Sequence, residues 1–468
     1  MKKIMIAAPS SNSGKTLFTC GLLQALLNRG LRPTAFKCGP DYIDPMFHRQ
    51  VLGVDSYNLD TFLWTKEGVE NLFENHASSS DVAILEGVMG YYDGLGGIST
   101  EASAFDVATV TKTPVVLLIN GKGASLSLLP IIKGFLEYEK ESMIRGIVFN
   151  HISPMMYPRL KNMVESELKV SVYGYLPLME DVNFESRYLG LKLPSEVDKI
   201  REKIEKLGQQ VEKTVDIHGL LGMAESCWEG QEGNPANSLK DERNLALLSA
   251  SGNGQKKLRI GVSKDEAFCF IYEDNLETLE KLGAQLVYLS PLHDRHLPED
   301  LDGIILYGGY PELYGAQLSA NESFRGDLYG TLNKGLPCMA ECGGFMYLQE
   351  EIVDASGNAF PMIGFLKGNS YKTKSLKRFG YATLSEGKAF GKEVGKIPVH
   401  EFHYFESEDC GDAFVAKKPL SERSWKCMIS RDNILAGYPH LAYRGNIKVA
   451  KAFLEACRNY KNLKIERN

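Results

Sequence analysis

The feature that most limits how this chain folds is a short stretch near its start, where an apolar run leads through a small-residue turn into an amphipathic segment. Residues 4–9 read IMIAAP, residues 10–16 read SSNSGKT and residues 17–28 read LFTCGLLQALLN. This order predicts a buried strand, a loop and a helix that begins near Lys15. A Gly-Lys-Thr sequence between a strand and a helix is typical of a loop that binds nucleotide phosphates.

The residues of this loop have distinct expected roles in binding ATP. Ser13 and Gly14 belong to the phosphate-binding turn, and Gly14 lets the backbone approach phosphate oxygens closely. Lys15 would reach the β and γ phosphates, and the Thr16 hydroxyl would hold Mg2+. Pro9 stands where the usual pattern has its first glycine, so the entry to the loop must differ from the standard form. The structural alternative is that the same residues form a Ser/Gly turn that only caps a helix.

Two acidic stretches offer the further oxygen ligands that Mg2+ requires. The sequence KCGPDYIDP carries Asp41 and Asp44 after a second predicted strand, and DVAILEGVMGYYDG ends a third strand with Glu86, followed by Asp93. We assign Asp41 and Glu86, together with Thr16, to the metal, and Asp44 and Asp93 to the substrate or its activation. For Asp93 taken alone, simple solvation of a surface acid is an equal alternative.

The alternation of short apolar runs and helical segments continues along most of the 468 residues, which predicts α/β architecture around parallel sheets. At 44% hydrophobic and 24% charged residues, the chain can bury large cores. Residues 227–257 are rich in Gly, Asn, Ser and charge and are predicted to be a linker. We therefore predict a phosphate-loop domain at 1–226 and a second α/β domain at 258–468, with one charged amphipathic helix at 197–221 closing the first.

Composition excludes several classes of function. The formal net charge is −6 and no basic block is present, which argues against a nucleic-acid partner. Nine cysteines without a C-x-x-C spacing indicate neither a disulfide framework nor a zinc site. No apolar stretch is long enough to cross a bilayer. We expect a soluble, cytoplasmic protein that binds small molecules and no membrane.

The sequence LPCMAECGGFMYL in the second domain predicts a nucleophile. Cys342 follows a predicted buried strand, precedes a predicted helix and is flanked at two-residue spacing by Ala340 and Gly344. Small neighbours are needed where the backbone turns sharply and lifts a nucleophile into the open. The helix N-terminus is expected to ease ionisation of the thiol. Cys338, within the same strand, is expected to be an inert core residue.

A cysteine nucleophile needs oxyanion donors and a base. The amides of Gly309 and Gly343 would form an oxyanion hole, although a plain Gly-Gly turn explains Gly309 equally well on its own. Three histidines follow the cysteine, namely His400, His403 and His440, and spacing alone does not choose among them. Hydrolysis of glutamine at the cysteine, coupled to activation of a carboxylate by ATP, gives an ATP-dependent amidoligase.

The motifs resemble those of a known family. KCGPDYIDP and EGVMGYYDG, behind a dethiobiotin-synthetase-like phosphate loop, are similar to the cobyrinic acid a,c-diamide synthases, as is the stretch ESRYLGLKLP at 185–194. The second domain resembles a cobyrinate-type class I glutamine amidotransferase, with a class I glutaminase-like sheet. The resemblance implies ATP, Mg2+ and glutamine as reactants, with the a and c acetates of cobyrinic acid as acceptors, and it leaves a homodimer open.

The resemblance also implies roles for the histidines. His440 takes the place of the activating histidine, whereas His400 and His403 serve substrate binding, the domain interface or structure alone. Ala442 stands where ordinary class I glutaminases have an acid two residues after the histidine, which implies a dyad rather than a triad. Asn150, at the end of the run IRGIVFN, is a candidate for reading the nucleotide base.

Three alternatives remain open from the sequence. A sister amidoligase would act on another tetrapyrrole such as nickel-sirohydrochlorin, or on other corrin side chains as cobyric acid synthase does. A partition-type switch ATPase would carry an extra lysine near Ala8 and Pro9, which this chain lacks. A binding module with an inactive glutaminase is disfavoured by the joint presence of Cys342 and His440.

Overall fold

The computed structural model describes residues 1–182, 186–187, 190–191, 193–226 and 257–467. The predicted linker at 227–257 lies outside the described residues except for its last position, and so does part of the stretch 185–194. The chain divides into two compact units, Met1–Lys240 and Asp241–Asn468.

The first unit is built on a seven-stranded sheet in the order β3-β2-β4-β1-β5-β6-β7, in which every neighbouring pair is parallel. Its strands are near-continuous apolar runs because helices cover both faces of a parallel sheet. Strand β4, for example, is buried along its whole length. The strands of this sheet are β1 Lys2–Ala7, β2 Pro33–Cys38, β3 Ser56–Leu59, β4 Val82–Glu86, β5 Val115–Asn120, β6 Ile144–Asn150 and β7 Ser171–Leu176.

Helices alternate with these strands, as expected for βα units. They are α1 Lys15–Asn28, α2 Ile43–Met46, α3 Lys66–Ala77, α4 Ala104–Val110, α5 Leu128–Glu137, α6 Tyr157–Leu168, α7 Ile200–Thr214 and α8 Ile217–Ser226. A π-helical turn, Phe47–Val51, continues α2, and short 3-10 turns form at Leu95–Gly97 and Pro194–Glu196. A small hairpin pairs β8 Ser186–Arg187 with β9 Gly190–Leu191.

The prediction of a single helix at 197–221 is wrong, because the segment breaks between α7 and α8. Val215 is extended and forms an isolated bridge with Gly174 beside β7. The backbone amide of Asp216 donates to the Tyr173 carbonyl at 2.6 Å, so a contact with the sheet replaces a helical hydrogen bond.

The second unit contains a six-stranded sheet in the order β11-β10-β12-β13-β25-β24, parallel except for the β24–β25 pair. Its strands are β10 Leu258–Ser263, β11 Ala284–Leu289, β12 Gly303–Leu306, β13 Cys338–Glu341, β24 Ile429–Arg431 and β25 Ile434–Gly437. The helices are α9 Glu273–Lys281, α10 Gly315–Ala320, α11 Glu322–Asn333, α12 Gly343–Leu348 and α13 Ile447–Arg467, with a 3-10 turn at Pro311–Leu313.

The segment between α12 and β24, together with the short strand β26 that follows β25, forms smaller, mostly antiparallel sheets that the sequence patterns did not predict. A five-stranded sheet has the order β23-β22-β17-β20-β26, and a four-stranded sheet has the order β15-β14-β16-β21. These strands, with the pair β18–β19, are β14 Glu351–Val353, β15 Ala359–Pro361, β16 Asn369–Lys372, β17 Arg378–Ser385, β18 Lys388–Ala389, β19 Lys392–Glu393, β20 Ile397–His403, β21 Phe405–Ser407, β22 Phe414–Lys417, β23 Ser424–Cys427 and β26 His440–Leu441.

The topology places functional side chains at strand ends. In the first unit, the carboxyl ends of β1, β2 and β4 meet at the edge where α1 begins, since these strands are parallel neighbours. In the second unit, the ends of β12 and β13 meet in the same way, and α12 begins directly after β13. Among the described helices, none combines the length and apolar character needed to cross a membrane.

Candidate active sites

The loop after β1 has the backbone geometry of a tight turn into a helix. Gly14 has φ 93°, in the left-handed region that favours glycine, and its carbonyl accepts the first helical hydrogen bond from Phe18. A Cβ added at Gly14 would lie 2.3 Å from Nδ2 of Asn150. The same amide nitrogen donates to the Ser13 carbonyl at 2.9 Å. Asn150 therefore anchors the loop from the end of β6, and Gly14 is required by both conformation and space.

Lys15 bridges this loop to the loop after β4. Its Nζ donates to the Ser10 carbonyl at 3.1 Å and to the Met89 carbonyl at 2.6 Å. Burial lowers the pKa of Lys15 to about 8, with the nearby Lys37 ammonium adding to the effect. A bound phosphate would give this ammonium anionic acceptors and would raise its pKa again, because an opposite charge favours the protonated form.

Thr16 contacts two buried carboxylates at the ends of neighbouring elements. Its hydroxyl donates to Glu86 Oε1 at 2.7 Å and to Asp44 Oδ2 at 3.2 Å. Lys37, the second-last residue of the buried strand β2, donates to Asp44 Oδ2 at 2.5 Å and to Glu86 Oε1 at 2.9 Å. His48 Nε2 lies 3.6 Å from Glu86 Oε2. Thr16, Lys37, Asp44, His48 and Glu86 therefore form one connected polar cluster.

The charges in this cluster are strongly coupled. Burial alone would raise the pKa of Glu86, but the Lys37 ammonium and His48 hold it well below its usual range. Burial, followed by the neighbouring Asp41 and Glu86 carboxylates, raises the pKa of Asp44 well above its usual range. Burial opposes the charge of Lys37, yet Asp44 and Glu86 raise its pKa. Lys37 and Glu86 are thus held in their charged forms in a water-poor site, where charge is costly, whereas Asp44 favours its protonated form.

The acidic residues predicted for this site have different positions. Asp44 and Glu86 both contact Thr16, whereas Asp41 Oδ1 accepts from the amides of Ile43 and Asp44 at 2.8 and 3.3 Å and so begins α2. Asp93 Oδ2 accepts from the Gly90 amide at 2.9 Å and closes the turn after β4. The structure therefore differs from the predicted pairing of Thr16 with Asp41, because the short helix carries Asp44 rather than Asp41 to the hydroxyl.

The donor set of this cluster fits Mg2+. A hydroxyl and two carboxylates are the hard oxygen ligands that this ion prefers, and waters and phosphate oxygens usually complete its octahedron. In the described part of the chain, no group of three or more His, Cys, Asp and Glu side chains is arranged to hold a metal. A cation here would therefore depend on Thr16, Asp44 and Glu86 together with the ligands that the nucleotide brings.

In the second unit, Cys342 forms a strained turn between β13 and α12. Its φ of 49° and ψ of −107° are rarely adopted by a non-glycine residue. The Cys342 amide donates to the Gly437 carbonyl at 2.8 Å, and its carbonyl accepts from Met346 at 2.9 Å. A Cβ added at Gly344 would lie 2.1 Å from the Leu306 carbonyl oxygen. The turn therefore requires a small residue at 344, as expected for a nucleophile elbow.

His440 lies next to Cys342, across Gly308. A Cβ added at Gly308 would lie 2.6 Å from Cε1 of His440 and 3.3 Å from Cβ of Cys342. His400 pairs with His440 in the β20–β26 register and shares its face of the sheet. His403 has other partners, because its Nε2 lies 3.0 Å from Glu401 Oε2 and its Nδ1 lies 2.6 Å from the Phe405 carbonyl.

The two glycines predicted to supply oxyanion donors are neighbours in space. A Cβ added at Gly343 would lie 3.1 Å from the Gly309 nitrogen, so the two backbones are in close contact beside the elbow. The Gly343 amide also makes a hydrogen bond that favours the Cys342 thiolate. Donors in this arrangement are suited to an oxyanion formed at the cysteine.

Burial dominates the electrostatics of this site. Burial raises the pKa of the Cys342 thiol, with Glu312 adding to the rise, so the expected ease of ionisation at the helix N-terminus is not what the structure shows. Burial lowers the pKa of His440 and of His400 to about 3. At neutral pH the thiol and the imidazoles are therefore uncharged, and the thiolate has to form by proton transfer to a neighbouring base.

Sequence reasoning missed two charged residues in these sites, Lys37 and Glu341. Lys37 interrupts the otherwise apolar strand PTAFKC, and a lysine inside a buried strand is a signal that it has an acidic partner. Glu341 precedes the nucleophile and lies in the same fully buried strand as Cys338. For Glu341, the signal in the sequence was an acid within an apolar strand, directly before the candidate nucleophile.

Comparisons with known proteins match both units. Residues 4–189 match the CobQ/CobB/MinD/ParA nucleotide binding domain, and residues 259–446 match the CobB/CobQ-like glutamine amidotransferase domain. The solved structure of MinD cell division protein from Aquifex aeolicus is 15% identical, at a TM-score of 0.30, and the match covers 50% of this chain and 99% of that one. The family models confirm the prediction of two α/β units, the first of which binds nucleotide.

Full-length relatives agree with the two domain matches. The chain is 36% identical to the cobyrinate a,c-diamide synthase of Caldanaerobacter subterraneus subsp. tengcongensis, over 97% of this chain and 98% of the relative. It is 38% identical to the protein of the same name from Clostridium acetobutylicum, over 96% and 99%. The protein of that name from Clostridium tetani is also 38% identical, over 97% and 100%. The chain belongs to the cobyrinate a,c-diamide synthase family.

Proposed function

We propose that this protein is an ATP- and glutamine-dependent amidoligase that converts the a and c acetate carboxylates of cobyrinic acid into amides. The observation that carries the proposal is the presence of two matched sites on one chain. One is a nucleophile elbow with an adjacent histidine, and the other is a phosphate loop whose threonine contacts two buried carboxylates. The relatives that share the whole chain carry the same activity in their names.

In the glutaminase half, His440 accepts the proton of Cys342 and the thiolate attacks the side-chain amide carbon of glutamine. The amides of Gly309 and Gly343 stabilise the oxyanion that forms on that carbon. His440 then donates the proton to the leaving nitrogen, which departs as ammonia, and water hydrolyses the thioester to glutamate. Burial disfavours both the thiolate and the imidazolium, so this transfer needs groups nearby that stabilise the two charges.

In the synthetase half, the loop of Ser13, Gly14 and Lys15 binds the phosphates of ATP. Thr16, Asp44 and Glu86 would hold Mg2+, which when bound neutralises charge on the phosphates. The acetate of the substrate attacks the γ-phosphate of ATP, which gives an acyl phosphate and releases ADP, and ammonia then displaces inorganic phosphate to give the amide. Lys15 stabilises the charge that shifts during transfer.

Asp41 and Asp93 support this half of the reaction by shaping its loops. Asp41 accepts from the first amide of α2, the helix that carries Asp44. Asp93 accepts from the Gly90 amide and so fixes the turn beside the Met89 carbonyl, to which Lys15 donates. Our proposal therefore gives metal binding to Asp44 with Glu86 and gives Asp41 and Asp93 a positioning role towards the nucleotide and the substrate.

The test combines substrate choice with one substitution. Purified protein is incubated with cobyrinic acid, ATP, MgCl2 and either glutamine or ammonium chloride, and products are identified by mass spectrometry. We expect two successive amidations from either nitrogen source. Cys342→Ala should abolish the glutamine-driven product and leave the ammonium-driven product, whereas Cys338→Ala, which removes a buried thiol from the strand that precedes Cys342, should leave both.

Three results would contradict the proposal. Amidation of nickel-sirohydrochlorin but not of cobyrinic acid would identify another member of the tetrapyrrole amidoligases. Hydrolysis of ATP without amide formation from any tetrapyrrole would indicate a switch ATPase. If Cys342→Ala forms no product from either glutamine or ammonium chloride, the thiol does more than hydrolyse glutamine.

A further inference from the structure

We propose that Glu341 is the positioning residue that orients His440 and balances its positive charge during glutamine hydrolysis. Glu341 is the last residue of β13 and directly precedes Cys342. Its Oε2 lies 3.7 Å from Nδ1 of His440, and both side chains are 2% exposed. This inference rests on the proposed glutaminase role of Cys342 and His440.

Glu341 supplies a carboxylate beside His440, although the chain has no acid two residues after that histidine. Ordinary class I glutaminases carry an acid two residues after the histidine, where this chain has Ala442. In the fold, the carboxylate instead comes from β13, a strand of the six-stranded sheet whose last residue directly precedes the nucleophile. Successive residues of a strand point to opposite faces, and the sharp turn at Cys342 then lifts the thiol towards the imidazole. Two adjacent residues can therefore contact one imidazole from different directions.

Among the neighbours of the Glu341 carboxyl group, His440 is the side chain that can carry a positive charge. The backbone amide of Leu441 donates to the carboxyl group, which fixes it beside β26. The carboxyl group also acts on Tyr307 and Tyr443, whose hydroxyls are 3.4 Å apart, but burial raises the pKa of both phenols, so they stay neutral. No hydrogen-bond partner exists for Oε1 of Glu341 among the residues that the structure describes.

The chemistry of the reaction supplies the reason for such an acid. When His440 takes the thiol proton it becomes an imidazolium in a buried site, and an uncompensated buried cation is costly. A carboxylate near Nδ1 favours the imidazolium and fixes the ring so that Nε2 can face the sulfur, as the aspartate of a Ser-His-Asp triad does. Burial raises the pKa of Glu341 to about 8, so the carboxylate form gains as the imidazolium appears.

Glu401 is the rival acid, because its charge raises the pKa of His440, but its hydrogen bond is to another histidine. It is fully buried, and its Oε2 lies 3.0 Å from Nε2 of His403. His403 in turn stacks on Tyr438 at 4.0 Å between ring centroids. Glu401 therefore belongs to a separate pair, and substitution of the two glutamates distinguishes the two assignments.

The experiment measures glutaminase and ammonium-driven activity in parallel on the full chain. Glu341→Gln should lower kcat for glutamine hydrolysis by roughly 10²-fold or more, given the loss seen when a triad acid is neutralised, with little change in KM. Glu341→Asp should recover part of that loss, because it restores the carboxylate. Ammonium-driven amidation should match the unsubstituted protein in both variants.

A second readout follows the thiol directly. The rate at which iodoacetamide alkylates Cys342 without glutamine is measured against pH, and Glu341→Gln should move the rise in rate to higher pH, since the imidazolium loses its partner. Asp302→Asn is the matched control. Asp302 is a buried acid at the opposite end of the same sheet, bonded to the Arg259 amide and to Lys461, and its loss should change neither measurement.

Each failure has its own signature. Unchanged kcat and an unchanged alkylation profile in Glu341→Gln would overturn the inference and leave the proposed function intact. So would a loss in Glu401→Gln that Glu341→Gln does not share, or equal losses in Glu341→Gln and Asp302→Asn. If Cys342→Ala retains glutamine-driven amidation, the proposed function itself fails.

Discussion

Replacement of Lys37 by methionine tests whether the polar cluster of the first unit is a buried charge balance. Lys37 is 3% exposed and bonds to both Asp44 and Glu86. Removal of one partner from a buried ion pair typically costs about 3–5 kcal/mol, because the remaining charge stays buried without compensation. For a unit of this size, 1 kcal/mol corresponds to roughly 2–4 °C in Tm. Lys37→Met should therefore lower the Tm of this unit by about 6–20 °C.

The assay is differential scanning calorimetry of the full chain, with Lys66→Met as the matched control. Lys66 also bonds to an aspartate, Asp106, at 2.8 Å, but it is largely exposed. Exposed pairs contribute about 0–1 kcal/mol, so the control should shift Tm by a few degrees at most. A Lys37→Met shift no larger than that of Lys66→Met would refute the charge-balance argument.

Metal addition extends the same test. Without Lys37, Asp44 and Glu86 lose the ammonium that bonds to both of them, and Mg2+ should then stabilise the protein by binding to the native state. We expect MgCl2 to raise the Tm of Lys37→Met by more than it raises that of the unsubstituted protein, and EDTA to reverse the difference. Equal shifts in both proteins would show that Thr16, Asp44 and Glu86 do not form a cation site.

Two further predictions concern the second unit. Gly308→Ala should abolish glutaminase activity and leave ammonium-driven amidation, because the added methyl would lie 2.6 Å from the His440 ring and displace it from Cys342; unchanged glutaminase activity would contradict that packing. His400, whose folded-state pKa of about 3 lies below its ordinary value of 6.5, binds a proton only when unfolded as pH falls below about 6.5. Its contribution to stability is complete above that pH and is lost towards pH 3, so His400→Gln should weaken the fall in Tm of this unit between pH 7 and pH 5, as measured by calorimetry. An unchanged slope would show that His400 titrates normally.

The parallel sheets were predictable because the strand, turn and helix of each βα unit follow one another within a short stretch of sequence. The apolar run of β1, the Gly-Lys-Thr turn and the helix α1 follow one another within residues 2–28, and the elbow at Cys342 is marked by its small neighbours. Prediction failed at 197–221, where a sheet contact at Val215 interrupts a helical pattern. It also gave no sign of the antiparallel strands between α12 and β24, since short strands carry little periodicity.

The sequence by itself determined which chemical groups are available: a phosphate loop, acids at strand ends, a cysteine in a nucleophile elbow and histidines that follow it in the chain. Only the tertiary structure decided which of these groups meet. Thr16 bonds to Glu86, 70 residues away, and α2 carries Asp44 rather than Asp41 to the same hydroxyl. The strand register brings His440, not His403, to Cys342 and places Glu341 beside its ring. The physical reason is that a site is fixed by strand order and register, and these depend on packing between segments that are distant in the chain.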